Sequence, residues 1–276
     1  MKSVLLIGQS NMAGRGFLHE VKPICNENIF MLRNGRWQMM AEPIHFDRAV
    51  SGVGPAASFA QAWCNANKNG KIGLIPCAEG GSSIDEWNVE GALYRHAISE
   101  ARFAMENSEL EAILWHQGES DSHSGQYKDY YQKLDEIVSS FRKELGVKEV
   151  PFILGGLGDY LGKSAFGMSC VEYEMVNREL LRYAENNDNC YFVTGEKLYS
   201  NPDGIHINAE SQRRFGVRYF EAYQTKSNVD RPLDDETEIV KEYCEKEHTV
   251  AEKRYMALEQ FTLGKLALEE VMEYLR

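Results

Sequence analysis

Five short apolar runs punctuate the chain, at positions 3–7, 71–77, 112–116, 151–155 and 190–194. They are too short for ordinary helices, rich in Leu, Ile and Val, and apolar on consecutive positions, as strands buried on both faces are. Between them, and after the last, apolar residues recur every three or four positions, which predicts helices over 56–67, 91–107, 126–145, 171–186 and 209–221. This alternation predicts βαβ units around a central parallel sheet. Right-handed crossovers then put helices on both faces, giving an α/β fold in three layers. Residues 24–53 keep no sustained period and read as a long, strand-containing excursion.

The first run raises its own question, because Lys2 followed by Val4-Leu5-Leu6-Ile7 imitates the start of a secretory signal. The imitation ends at Gly8, short of the roughly 7–15 apolar residues such a signal needs. A buried strand ending in a polar turn fits better. No run approaches the roughly 18 apolar residues of a membrane span. With 276 residues, 43% hydrophobic and 26% charged, the chain suits one large α/β domain with an appendage. Lys and Arg number 30 against 42 Asp and Glu, a net charge of −12 that argues against nucleic acid or an anionic membrane as partner. Cys25, Cys64, Cys77, Cys170, Cys190 and Cys244 are scattered without a CxxC pair, so reduced thiols in a cytoplasmic protein are expected.

Ligands of open parallel sheets bind beyond the carboxyl ends of the strands, where this chain gathers its polar turns. Ser10 follows the first run, Glu79-Gly80-Gly81-Ser82-Ser83 the second and Gln117-Gly118-Glu119-Ser120-Asp121 the third, while Asp203-Gly204-Ile205-His206 precedes the last of these helices. A hydroxyl, an imidazole, a carboxylate and glycine-flanked N–H groups are the parts acyl transfer needs. Ser10, His206, Asp203, Gly81 and Gln117 can fill those roles, but each residue also has a plainer use. Ser10 can cap a helix, and Asp203 can close an Asx turn. Glu119 can orient the site or serve as a buried structural carboxylate. Asn11 and Arg15 can contact substrate or satisfy their own loop, and Trp87 and Trp115 can stack on a sugar or pack in the core. His116, Glu119, Asp121 and His123 offer four metal-ligand types within eight residues, without the spacing of a helical zinc motif.

Four blocks carry a resemblance: GQSNMAG at 8–14, GGSSIDEW at 80–87, WHQGESD at 115–121 and DGIHINAESQRRFG at 203–216. In this order they resemble SGNH-type hydrolases, specifically the sialate O-acetylesterase-like group that includes carbohydrate esterase family six and its acetylxylan esterases. The resemblance spans roughly residues 1–222. It implies a flavodoxin-like α/β/α sandwich and ester hydrolysis by a serine, with no cofactor and no metal. By position it makes Ser10 the nucleophile, His206 the base and Asp203 the partner of that base. The oxyanion would be held by N–H groups of Ser10 and of Gly80 or Gly81. Gln117 stands where the wider superfamily commonly has an asparagine donor.

The expected substrate is a small acetylated carbohydrate, first an acetylated xylo-oligosaccharide. An O-acetylated sialic acid is the alternative; its carboxylate would favour an arginine near Ser10, and Arg15 is the nearby one in sequence. A silent sugar-binding module and a metal-dependent hydrolase are the readings from other classes. The esterase domain is expected over 1–227 and a helical extension over 228–276. In that extension Tyr255, Leu258, Phe261, Thr262 and Lys265 to Leu268 give an approximate helical stripe, continued by Val271, Met272 and Leu275. Such a stripe needs a partner surface, either the esterase domain or, in a homo-oligomer, a second copy.

Overall fold

A computed structural model describes residues 1–276. The chain opens with β1 (Lys2–Gly8), the single turn α1 (Ser10–Ala13), and the hairpin β2 (Ile29–Arg33) and β3 (Arg36–Met39). Then come α2 (Ala56–Ala66), β4 (Ile72–Pro76), α3 (Ala92–Met105), β5 (Glu109–His116) and α4 (Tyr130–Leu145). The remainder is β6 (Phe152–Gly158), α5 (Tyr173–Asn186), β7 (Cys190–Gly195), α6 (Ala209–Thr225), α7 (Glu236–Glu245), α8 (Val250–Thr262) and α9 (Leu268–Leu275).

All seven strands form one sheet in the order β3-β2-β4-β1-β5-β6-β7. Strands β4, β1, β5, β6 and β7 are parallel and follow the flavodoxin-like order, in which the chain reverses direction across the sheet between β1 and β5. The apolar runs work here by alternation. Val4 and Leu6 on β1 join the core under α2 and α6, whereas Leu5 and Ile7 join the core under α3, α4 and α5. All four are fully buried, each contributing on the order of 1.5–3 kcal/mol by burial.

The sheet is not wholly parallel, which corrects the expectation at one edge. Strand β3 runs antiparallel to β2 because Asn34 and Gly35 both take positive φ, 52° and 70°, as a two-residue hairpin turn requires. The Asn-Gly pair lay within the aperiodic excursion and was the available signal for that hairpin.

The extension docks on the sandwich. Val229 pairs with Val193 of β7, and Val240 and Tyr243 of α7 enter the core beside α2 and α6. Glu236 accepts two hydrogen bonds from the buried Arg218 guanidinium, at 2.6 and 2.7 Å. On α8, the Glu252 carboxylate accepts from the Glu27 N–H and from Lys246, and the Tyr255 hydroxyl donates to Met39 C=O. Helix α9 keeps Leu268, Met272 and Leu275 exposed. No helix is long and apolar enough to cross a membrane.

Candidate active site

The site forms where the sheet reverses, at the carboxyl ends of β1 and β5. Gly8 ends β1 at φ 126°, and a Cβ there would lie 2.1 Å from His116 C=O on β5. Only glycine lets the two strand ends close up at this point, which is why the apolar run breaks there. The chain turns at once into α1, with Ser10 its first residue. The Ser10 hydroxyl makes no hydrogen bond within the protein, so it is not used as a cap, and Gln9 occupies the cap position. As a first helical residue, Ser10 has an N–H without an intrahelical acceptor.

Asn11 ties this turn to the loop that carries the imidazole. Its Oδ1 accepts from Ile207 N–H at 2.8 Å and its Nδ2 donates to Ile205 C=O at 3.1 Å. Both neighbours of His206 are therefore held by the residue that follows Ser10. His206 Nδ1 lies 2.8 Å from Asp203 Oδ2, while Asp203 Oδ1 accepts from the N–H groups of Ile205 and His206. Asp203 thus closes an Asx-type turn and holds the ring simultaneously. Burial alone would raise its carboxyl pKa, but the hydrogen bonds from His206 and Ile205 outweigh it and hold the group below the usual carboxylate range.

The second strand-end turn supplies an N–H. Gly81 is exposed at φ 82°, with nothing within 4 Å of where a Cβ would sit, and its N–H has no partner in the protein. The Gly80 N–H instead donates to Asp47 at 2.8 Å, so of the two glycines Gly81 presents the open donor.

A family model described as carbohydrate esterase, sialic acid-specific acetylesterase, matches residues 1–225. The chain belongs to this carbohydrate esterase family. It is 31% identical over 246 residues to a probable carbohydrate esterase of Arabidopsis thaliana, covering 79% of this chain and 88% of that one. The X-ray structure of that Arabidopsis protein superposes with a TM-score of 0.73, covering 81% of this chain and 98% of that one at 29% identity. NanS superposes at 0.64 with 16% identity, over 82% of this chain and 97% of that one. An acetyl-xylooligosaccharide esterase from Geobacillus, solved as a variant, superposes at 0.52 with 12% identity, over 80% and 93% of the two chains. At these identities the last two show a shared fold.

Of the residues singled out from sequence, Gln117 lies away from its expected role, while Arg15, Trp87 and Trp115 take the plainer of the two uses open to each. Gln117 is fully buried, and its amide nitrogen faces Gln9 Oε1 at 3.2 Å, Ser82 C=O at 3.1 Å and Asp121 Oδ2 at 2.5 Å. Two protons among three acceptors leave none for an oxyanion. Gln117 knits the strand-end loops together instead. Arg15 is also buried, donating to Gly14 C=O and to both oxygens of Asp47, so it satisfies its own loop. Trp87 is fully buried, donates to Ser82 Oγ at 3.0 Å and packs edge-on against Trp115, so neither ring is open to a sugar.

Glu119 is buried too, its Oε1 accepting from Asn11 at 2.5 Å and facing His116 Nε2 at 3.0 Å. Burial pushes its pKa up; the His116 charge and the bonds from His116 and Asn11 prevail and hold it down. It therefore supports Asn11 and makes no hydrogen bond to His206. Asp121 turns to Gln117 and Ile84 N–H, and His123 to Ser124, so the four metal-type side chains do not converge. Sequence reasoning missed Asp47, which binds both Arg15 and Gly80. Its partners lie 32 and 33 positions away, beyond any local motif.

Proposed function

We propose that this chain is a serine-dependent carbohydrate O-acetyl esterase. The observation that carries this reading is the double clasp of Asn11 on Ile205 and Ile207, which brings the Asp203–His206 pair to the turn bearing Ser10. With Nδ1–H directed at Asp203, His206 keeps Nε2 as the acceptor for the Ser10 proton. Ser10 Oγ attacks the acetyl carbonyl carbon as its proton passes to Nε2. Gly81 and Ser10 N–H groups receive the oxyanion. The imidazolium then protonates the departing sugar oxygen, leaving an acetylated Ser10. Water, deprotonated by the same nitrogen, attacks that ester and releases acetate and free serine.

The proposed substrate is an acetylated xylo-oligosaccharide. Arg15, buried against Asp47, offers no free cation for an acidic sugar, and the net charge of −12 disfavours an anionic substrate. A second reading, an O-acetylated sialic acid, is favoured by the matched family's description and by Arg48. That guanidinium is half-exposed beside Gly80 C=O and paired to Glu79. Hydrolysis of acetylated xylo-oligosaccharides, O-acetylated sialic acid and an aryl acetate by the native chain separates the two. Ser10→Ala and His206→Ala should each lower kcat by several orders of magnitude without adding, because the residues act as a unit. Full activity in folded Ser10→Ala would refute the mechanism.

A further inference from the structure

The loop after β6 presents an apolar ledge beside the His206 turn. Phe166 is 74% exposed, Met168 59% and Val171 66%, an unusual clustering for large apolar side chains on a soluble surface. The loop is built against the catalytic turn. Phe166 N–H donates to Asp203 C=O at 2.9 Å. The backbones of Gly167 and Gly204 touch, so that a Cβ on Gly167 would lie 1.9 Å from Gly204 C=O. Tyr160 reaches from the start of the same loop to Ile205 C=O at 3.3 Å. Ala165, immediately before the phenylalanine, takes φ 44°, a left-handed conformation that a non-glycine residue holds only where its surroundings impose it. The exposed ring is thus carried on a strained backbone tethered to the His206 turn.

The geometry points to Phe166 as a specificity-determining residue whose ring carries the sugar that bears the acetyl group. This rests on the Ser10–His206 reading above. A pyranose presents a face of C–H bonds, and an aromatic face removes that surface from water while leaving the hydroxyls solvated. With Trp87 and Trp115 buried, Phe166 is the exposed aromatic whose own backbone is bonded to the Asp203–His206 turn. Covering one sugar face corresponds to about a tenfold change in KM.

The test is steady-state kinetics of Phe166→Ala and Phe166→Trp on acetylated xylo-oligosaccharides and on an aryl acetate, with Ser10→Ala in parallel. The expected result for Phe166→Ala is a KM for the oligosaccharide raised about tenfold at similar kcat. Its preference for oligosaccharide over aryl acetate should fall by the same factor, and Phe166→Trp should restore both. An unaltered preference, or an equal kcat loss on both substrates as a merely structural role would give, overturns the inference while Ser10 dependence stands. Loss of Ser10 dependence overturns the underlying mechanism instead.

Discussion

Replacing Asn11 by alanine should damage catalysis more than its distance from any bond-making step suggests. The fully buried side chain makes three hydrogen bonds, to Ile207 N–H, Ile205 C=O and the Glu119 carboxylate. Truncation leaves the buried Ile207 donor without a partner, at about 1–3 kcal/mol, and removes a bond to a buried charge. A total near 3 kcal/mol corresponds to a melting temperature lower by roughly 6–12 °C. The catalytic effect has a different origin. Freed of both clasps, the 205–207 segment moves His206 relative to Ser10, and a displacement of about 1 Å costs on the order of 100-fold in rate. Thermal melts and aryl-acetate kinetics on Asn11→Ala check both quantities, with the loss expected in kcat rather than KM. A variant that melts lower but keeps wild-type kcat would refute the positioning argument.

Glu236→Ala leaves α7 in place and the buried Arg218 charge unpaired, which should cost about 3–5 kcal/mol. Denaturant unfolding checks this, and an unchanged midpoint would contradict it. Because the Asp203 carboxyl is held below its ordinary value, its contribution to stability is present above the ordinary carboxylate range and lost as pH falls through the depressed value. Melting curves of wild type and Asp203→Asn should therefore converge on acidification below about pH 4; a constant gap would sink the idea. Burial pushes the thiols of Cys25 and Cys64 up to about 12 and that of Cys190 to about 11, and raises those of Cys77, Cys170 and Cys244. Iodoacetamide at pH 8 should then spare the esterase, whereas a serine-directed organophosphate should abolish activity and label Ser10. Inactivation by the thiol reagent would count against a serine nucleophile.

The five buried parallel strands and the helices between them were legible in the chain because each rests on a local period: consecutive apolar positions for strands buried on both faces, three-to-four spacing for helices. The hairpin was legible at Asn34-Gly35 but masked by its aperiodic surroundings. Motif order likewise brought Ser10, Asp203 and His206 to one rim, since the carboxyl ends of parallel strands share an edge. What local pattern does not carry is which polar groups are already occupied. Gln117 and Arg15 looked like donors for a substrate, yet Gln9, Ser82 and Asp121 surround one and Asp47 holds the other. Trp87 was open to a sugar or to the core and lies in the core, whereas Phe166, which no motif singled out, is among the exposed rings. Hydrogen-bond saturation and burial are set by groups tens of residues apart, so only the tertiary structure decides which side chains are free to meet a substrate.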